Sequence, residues 1–444
     1  MQNESFGTDP LHKLLRQQSI PAAVGILVMS VYGIIDTIFV GRWVGSDGIG
    51  AITVVMPITF LISSIGMAIG VGGASIISRA FGENNNEKAH LVFGNQLVFT
   101  LLLSVLCIIT GSLFETQILK LFGGKGSVFE PALAYFDIVL WGVPFLAWAM
   151  MSNNVIRAEG HPKVAMYTLL IPAIANIALD PLFMIVFDMG IEGAAWATTI
   201  AYMVSGLYTV WFFISGKSQM KLPSKCIQLN FSILKEITAI GSVTLARQGV
   251  ISLLAIVLNN TLFAYGGSMA LSSYGIASRV LMFANFPVLG ITQGTVPIIG
   301  FNFGAKLYNR VQDLLKLSIK SATVVAFCIF GIIMVFTHSI AAAFTADQAL
   351  ILDTIPAMRI IFLATPLIAI NLIGSAYFQA IGKPKPALLL TLSKQGFFLV
   401  PLLLILPQFF GIDGIWFSFP IADVGAAMIS FFFLKREHKK QLIS

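Results

Sequence analysis

The sequence predicts an all-α integral membrane protein with twelve transmembrane helices, six in each of two pseudo-symmetric halves. Three observations lead there. Of 444 residues, 57% are hydrophobic and only 11% charged, whereas soluble domains carry about a quarter charged residues. Apolar runs of the roughly 20 residues that a helix needs to cross a bilayer core of about 30 Å recur twelve times. Finally, RAEGHPKVAM (157–166) returns as QAIGKPKPAL (379–388) with five identities, at an offset of 222, half the chain. The same offset sets Phe81-Gly82 onto Phe303-Gly304 and Lys88 onto Arg310, so two separate polar connections repeat in register.

In chain order the predicted spans are 17–41, 50–78, 91–113, 131–156, 164–187 and 192–214, then 236–263, 270–298, 316–337, 351–378, 386–407 and 412–434. Pro21, Pro57, Pro144, Pro172 and Pro181 fall inside spans, where each removes a backbone donor and can bend its helix. The one long connection is SGKSQMKLPSKCIQLNFSILK (215–235), basic and proline-containing. It is expected to link an N-lobe, 1–214, to a C-lobe, 236–444. The polar stretches GENNNEKAH (82–90) and GAKLYNRVQD (304–313) are expected to start short amphipathic segments or simply to end helices.

Orientation follows from Lys and Arg, which are retained in cytoplasmic loops. With the N-terminus inside, both tails, the even-numbered loops and the central stretch with Lys217, Lys221, Lys225 and Lys235 hold most of the 27 basic residues. The opposite loops hold Arg42, Lys120 and Lys125. Both termini are therefore expected to be cytoplasmic, in a multi-pass protein of the cell (inner or plasma) membrane. The polar MQNESFGTDPLHKLLRQQ leads straight into a full-length span, which makes the first helix its own targeting signal. The net charge of +7 reports topology, and nothing offers a basic soluble domain to nucleic acid. No GxxxxGK[ST] run is present to bind a nucleotide. Cys107, Cys226 and Cys328 are too few for a disulfide framework and receive no role.

The chemistry lies in intramembrane polar residues. Asp36 sits in VMSVYGIIDTIFVGR, where a carboxylate must be paired, hydrated or protonated to avoid a cost of several kcal/mol. Asp180 sits in IPAIANIALDPLFMIVF with Asn176 one helical turn earlier, on the same face. Thr198, Thr199 and Tyr135 add hydroxyls. Two carboxylates, an amide and hydroxyls suit a proton-binding network and equally an oxygen shell for Na⁺, here at Asp36, Asn176, Asp180 and Thr198. The second half mixes signs: Arg247, Arg279, Lys394 and Asp423, with Lys394 the first expected partner of Asp423 and Arg247 the second. Arg247, Lys394 and Asp423 thus form a candidate C-lobe polar network, structural or functional. No histidine is expected to act as a ligand or proton relay. Met and aromatic side chains lining a cavity would accommodate varied apolar cations.

These stretches together resemble the multidrug and toxic compound extrusion (MATE) transporters along essentially the whole chain. The matching residues are DTIFVGRWVG, GGASIISRAFGENNNEKA, RAEGHPKVAM, NIALDP and IEGAAWATTIA in the first half, then YGIASRV and PIIGFNFGAK in the second. The resemblance implies two six-helix bundles around a central cleft, alternating access, and export of organic cations or amphipathic compounds against inward H⁺ or Na⁺. The DinF-like and MepA-like branch is most similar, and its N-lobe network matches Asp36, Tyr135, Asn176, Asp180 and Thr198, with Pro21 at the position of its bending first helix. The chain departs from the NorM-type branch, which places a cation-binding acid in span seven, where SVTLARQGVISLLAIVLNNTLF has none.

The expected function is secondary active multidrug efflux by antiport, with H⁺ or Na⁺ as coupling ion and no other cofactor. Small organic cations or amphipathic drugs and the membrane lipids are its expected partners, no partner protein is implied, and a monomer is expected. A lipid-linked saccharide flippase of the same superfamily is the alternative, for which Arg247, Arg279 and Lys394 would supply cationic groups. The chain shows no nucleophile–base or metal-ligand constellation of an enzyme.

Overall fold

The computed structural model describes residues 5–220 and 229–441. They are overwhelmingly helical, and none of the described residues lies in a strand. The first half comprises α1 (Leu11–Trp43), α2 (Ser46–Gly82), α3 (Asn86–Leu113), α4 (Phe129–Ala158), α5 (Pro162–Pro181, continued by the π-helical turn Leu182–Val186) and α6 (Gly190–Ile214). A short helix, Glu115–Leu121, joins α3 to α4. In the second half a helical stretch of 74 residues, Phe231–Gly304, is interrupted at Gly267 (φ 61°, ψ −155°). At 1.5 Å per residue it would otherwise reach about 110 Å, so it is two spans, α7 (231–266) and α8 (268–304). Then come α9 (Tyr308–Phe344), α10 (Gln348–Ile361 and Ile368–Ala380), α11 (Pro384–Leu392, the π-helical turn Ser393–Leu399, and Val400–Ile405) and α12 (Pro407–Gln441). The two parts of α10 meet at a bend of 40°. These are the twelve spans that the apolar runs predict.

The duplication is written into the backbone. Gly45 and Gly267, Asn84 and Lys306, and Gly160 and Gly382 are three pairs 222 residues apart, and all six residues have positive φ, from 54° to 94°. Asn84 and Lys306 stand where the sequence leaves open amphipathic segments or helix ends, and both positions are tight turns. After the first, the Asn85 side chain accepts from the backbone amide of Lys88 at 2.9 Å, satisfying a free donor of the first turn of α3; after the second, α9 begins at Tyr308.

The chain divides into two compact units. One holds Met1–Phe6 and Val24–Thr244, the other Gly7–Ala23 and Leu245–Ser444. The division therefore differs from lobe boundaries at 214 and 236: residues 7–23, which include the start of α1, group with the second half, and the start of α7 groups with the first. Of the expected linker, 221–228, with Lys221, Lys225 and Cys226, lies outside the described residues.

Small side chains explain both exchanges. Within the first unit, a Cβ on Gly72 would stand 2.2 Å from the Ile237 carbonyl oxygen, and one on Gly241 2.4 Å from that of Ala68. Within the second, a Cβ on Gly290 would stand 2.5 Å from the Ala23 Cβ, and one on Gly294 2.8 Å from the Ser19 amide nitrogen. Gly290 and Gly294 are Ala68 and Gly72 advanced by 222. Each repeat thus makes the same close crossing, small residues four apart letting two backbones touch. Polar pairs reinforce both: Arg79 Nη2 lies 2.7 Å from Glu236 Oε1, and Arg310 donates to the Asp9 carbonyl at 2.8 Å.

Each unit has its own apolar core. Val55, Phe136 and Val139 are buried at the centre of the first, and Leu258, Phe362 and Trp416 at the centre of the second.

Candidate functional site

Four helices of the first unit bring the expected N-lobe residues together. Asp36 comes from α1, Tyr135 from α4, Asn176 and Asp180 from α5, and Thr198 from α6; all five are buried. Asn176 Nδ2 donates to Asp180 Oδ1 and to Thr198 Oγ1, both at 3.3 Å. Thr198 Oγ1 in turn lies 3.4 Å from the Tyr135 hydroxyl. The carboxyl groups of Asp36 and Asp180 approach closely enough to share a hydrogen bond. Asp36 Oδ1, Asn176 Oδ1 and Asp180 Oδ2 are buried oxygens that no protein donor satisfies. Acceptors in that condition are expensive, and a proton or a small cation is what such a group of oxygens takes up.

Local sequence explains how α5 presents two of these residues. Asn176 and Asp180 are one turn apart, and Pro181 leaves the carbonyl four residues before it without its helical donor. The helix continues past that point as the π-helical turn Leu182–Val186, a widening that recurs at functional sites. Thr199, the neighbouring hydroxyl, does something else: it donates to the Ile138 carbonyl at 3.1 Å and ties α6 to α4. α1 passes through Pro21 without a break in its helical run.

Two residues of this region, Tyr32 and Tyr202, are not among those singled out from the sequence. Tyr32 and Tyr202 come from different helices, α1 and α6, to one pocket. Tyr32 is one turn before Asp36 on α1, and Tyr202 one turn after Thr198 on α6. The spacing could have flagged Tyr32 once Asp36 was singled out. Their rings help line a largely apolar pocket with Met29, Met150, Leu169 and Pro172.

In the second unit, Lys394 Nζ stands 2.5 Å from Asp423 Oδ1. Lys394 lies in the π-helical turn of α11 and retains 22% side-chain exposure, against 4% for Asp423. Arg247 is not joined to them by any ion pair among the described residues, and Arg279 is exposed. The described residues contain no group of three or more His, Cys, Asp or Glu side chains placed to hold a metal ion.

The MatE family model matches residues 21–182 and 245–405, one match in each repeat. The multidrug export protein MepA of Staphylococcus aureus (strain NCTC 8325 / PS 47) is 28% identical over 418 residues, covering 94% of this chain and 92% of its own. MepA of Staphylococcus haemolyticus is 26% identical over 427 residues, covering 96% and 94%. Among solved structures, the MATE multidrug transporter DinF-BH is 39% identical, with a TM-score of 0.89 over 97% of this chain and 96% of that one. A MATE in the bent conformation is 25% identical, with a TM-score of 0.94 over 99% and 98%.

Proposed function

This chain belongs to the MatE family of membrane transporters, and from that premise we propose that it exports amphipathic organic cations by antiport, with the Asp36 and Asp180 carboxyls as the ion-coupling centre. The observation that carries the reading is the group of donor-less buried oxygens on Asp36, Asn176 and Asp180, set on the same helices as an apolar, methionine-containing pocket. The names of the MepA and DinF-BH relatives support multidrug export as the activity.

H⁺ is the coupling ion we favour. Asn176 presents its Nδ2, a donor, to Asp180 and Thr198, which stabilises a carboxylate ready to receive a proton and would oppose a cation at the same spot. Two carboxyls in contact cannot both carry charge cheaply, so one proton between them satisfies both. Na⁺ remains the second reading, because Asp36, Asn176, Asp180 and Thr198 can also offer it oxygens alone.

The cycle then runs on competition. With both termini cytoplasmic, a cationic substrate enters and is held by the charge of the acid pair. Protonation from outside removes that counter-charge, the hydrogen bonds around Asp36 rearrange, and α1 shifts near Pro21, where one helical bond is missing. The substrate leaves outward. Substrate and ion each weaken the other's binding by the same factor, as linkage requires.

The test is efflux of a fluorescent lipophilic cation from proteoliposomes under a pH gradient and, separately, a Na⁺ gradient, for wild type and Asp36→Asn. We expect transport under the pH gradient and its loss in the variant. Intact ion-driven efflux by Asp36→Asn sinks the proposal, and absence of transport by folded wild type under either gradient favours a lipid-linked substrate instead.

A further inference from the structure

We propose that the Lys394 ammonium, held from behind by Asp423, is a binding site in the second repeat for the carboxylate of an amphipathic substrate. The inference rests on the export reading above and deepens it, because it names a group on the substrate that the acids of the first repeat cannot recognise.

The site emerges when one repeat is laid on the other. Asn153 donates to the Ala165 carbonyl at 2.6 Å, and 222 residues on Ser375 donates to the Ala387 carbonyl at 3.1 Å. α4 packs on α5, and α10 on α11, in the same register. In that register Lys394 stands where Pro172 does. α6 and α12 correspond at an offset of 221: Gly190 and Gly411 both have positive φ, 56° and 58°, and each opens a Gly-Ile-acid-Gly run. Asp423 then stands where Tyr202 does. Pro172 and Tyr202 line the apolar pocket of the first unit, and their counterparts in the second are an ion pair, Lys394 Nζ 2.5 Å from Asp423 Oδ1. Leu169 and Ala149, which line the same pocket, have Thr391 and Asn371 as counterparts. The socket recurs in the second repeat with polar and charged groups in its wall.

Lys394 lies at the middle of its span, Pro384–Ile405, and its side chain is more exposed than that of Asp423. An ammonium at that depth faces the bundle interior or a water-filled space and not lipid. It has three N–H donors; Asp423 takes one from the buried side, which leaves donors for a group arriving from the open side. That group is an anion. A second cation would have to take Asp423 away from Lys394 and leave the ammonium uncompensated, which is strongly unfavourable at a buried site, whereas a carboxylate accepts from Lys394 and leaves the pair intact. The charge balance agrees. α7 adjoins α11, since a Cβ on Gly396 would stand 3.7 Å from the Val250 side chain. On α7, Arg247 is the counterpart of Gly25, whose added Cβ would stand 2.9 Å from Leu169, so Arg247 is directed at α11 beside Thr391, one turn before Lys394. Arg247, Lys394 and Asp423 together leave one positive charge for an anion to neutralise.

The test compares two dyes: rhodamine 6G, a cation whose carboxyl group is esterified, and the free acid that hydrolysis of that ester gives. Binding of each to purified full-length protein in phosphatidylcholine nanodiscs is measured by fluorescence polarisation at one neutral pH. Lys394→Met with Asp423→Leu removes the pair without stranding a charge. Its affinity for the acid is expected to fall about tenfold further than its affinity for the ester, the size of one lost charge-assisted hydrogen bond. The acid is therefore the dye whose efflux reports on the pair. Lys394→Arg keeps the charge, and the ratio of the two affinities is expected to stay within about threefold of wild type. A pair that only braces the helices moves both dyes alike, so equal losses, or a wild-type ratio in the double variant, overturn the carboxylate site alone. So does a wild type that binds the ester and not the acid. A wild type that binds neither dye overturns the export reading and this inference with it. Should the double variant fail to fold, Lys394→Gln decides on the same ratio, because its amide still donates to Asp423.

Discussion

Gly72 faces Ile237 so closely that an added Cβ would stand 2.2 Å from the Ile237 carbonyl oxygen. α2 and the first turns of α7 therefore cross backbone on backbone, and there is no flexible side chain to yield. Gly72→Ala must push the helices apart, at about 1–3 kcal/mol for overpacking a tight contact. Gly331, on α9, meets nothing within 4 Å, so Gly331→Ala should be neutral or stabilise by up to about 1 kcal/mol, through the lower conformational entropy of alanine in the unfolded chain. Thermal unfolding of the two purified variants checks the contrast; equal melting temperatures would remove the crossing as a fixed point of the first unit.

The ion pair between Lys394 and Asp423 invites a different comparison. Losing one partner leaves a buried charge uncompensated, so Lys394→Met is expected to destabilise by roughly 3–5 kcal/mol, whereas Lys394→Met with Asp423→Leu should be near neutral or more stable. Thermal stability and dye efflux are measured on both. A double variant that is stable and transports makes the pair structural; one that is stable and inactive makes it part of the machinery.

Thr198 and Thr199 are adjacent, yet their hydroxyls have separate tasks. Thr198 joins Asn176 to Tyr135, and Thr199 holds the Ile138 carbonyl. Each valine replacement should cost about 1 kcal/mol of stability for the lost bond. Only Thr198→Val is expected to displace the pH profile of efflux, and the same displacement in Thr199→Val would contradict the division of labour.

Part of this arrangement is legible in the amino-acid sequence. Span number follows from apolar length, and the duplication from the repeat of RAEGHPKVAM, whose imprint is the matched positive φ at Gly160 and Gly382. The pairing of Asn176 with Asp180 follows from helical spacing alone. That Asp36 from a distant span faces Asp180 does not: periodicity orients a residue on its own helix and is silent on which helices adjoin. The exchange of 7–23 between units is hidden for a related reason. It depends on Ser19, Ala23, Gly290 and Gly294 meeting across helices, and in a chain with 39 glycines nothing local marks these. Tyr202 is equally unmarked, since only the packing of its helix brings it to the pocket.

Glu159, just past the end of α4, supplies a stability test outside the spans. Its side chain is fully buried and accepts from Ser218 Oγ at 2.8 and 2.9 Å and from the Gln219 amide at 3.0 Å, while His90 Nε2 lies 3.0 Å from the Gln219 carbonyl oxygen. Burial raises the carboxyl from 4.5 to about 7, against the lowering effect of those hydrogen bonds. The folded protein thus holds this proton more tightly than the unfolded chain does. The resulting stabilisation is complete below about pH 4.5 and is lost as pH rises to about 7, by on the order of 3 kcal/mol at most. Glu159→Gln keeps an acceptor for Ser218 and cannot ionise. Its melting temperature relative to wild type should therefore rise across that window and level off above it, and a difference that stays constant with pH would show that Glu159 does not titrate in the fold.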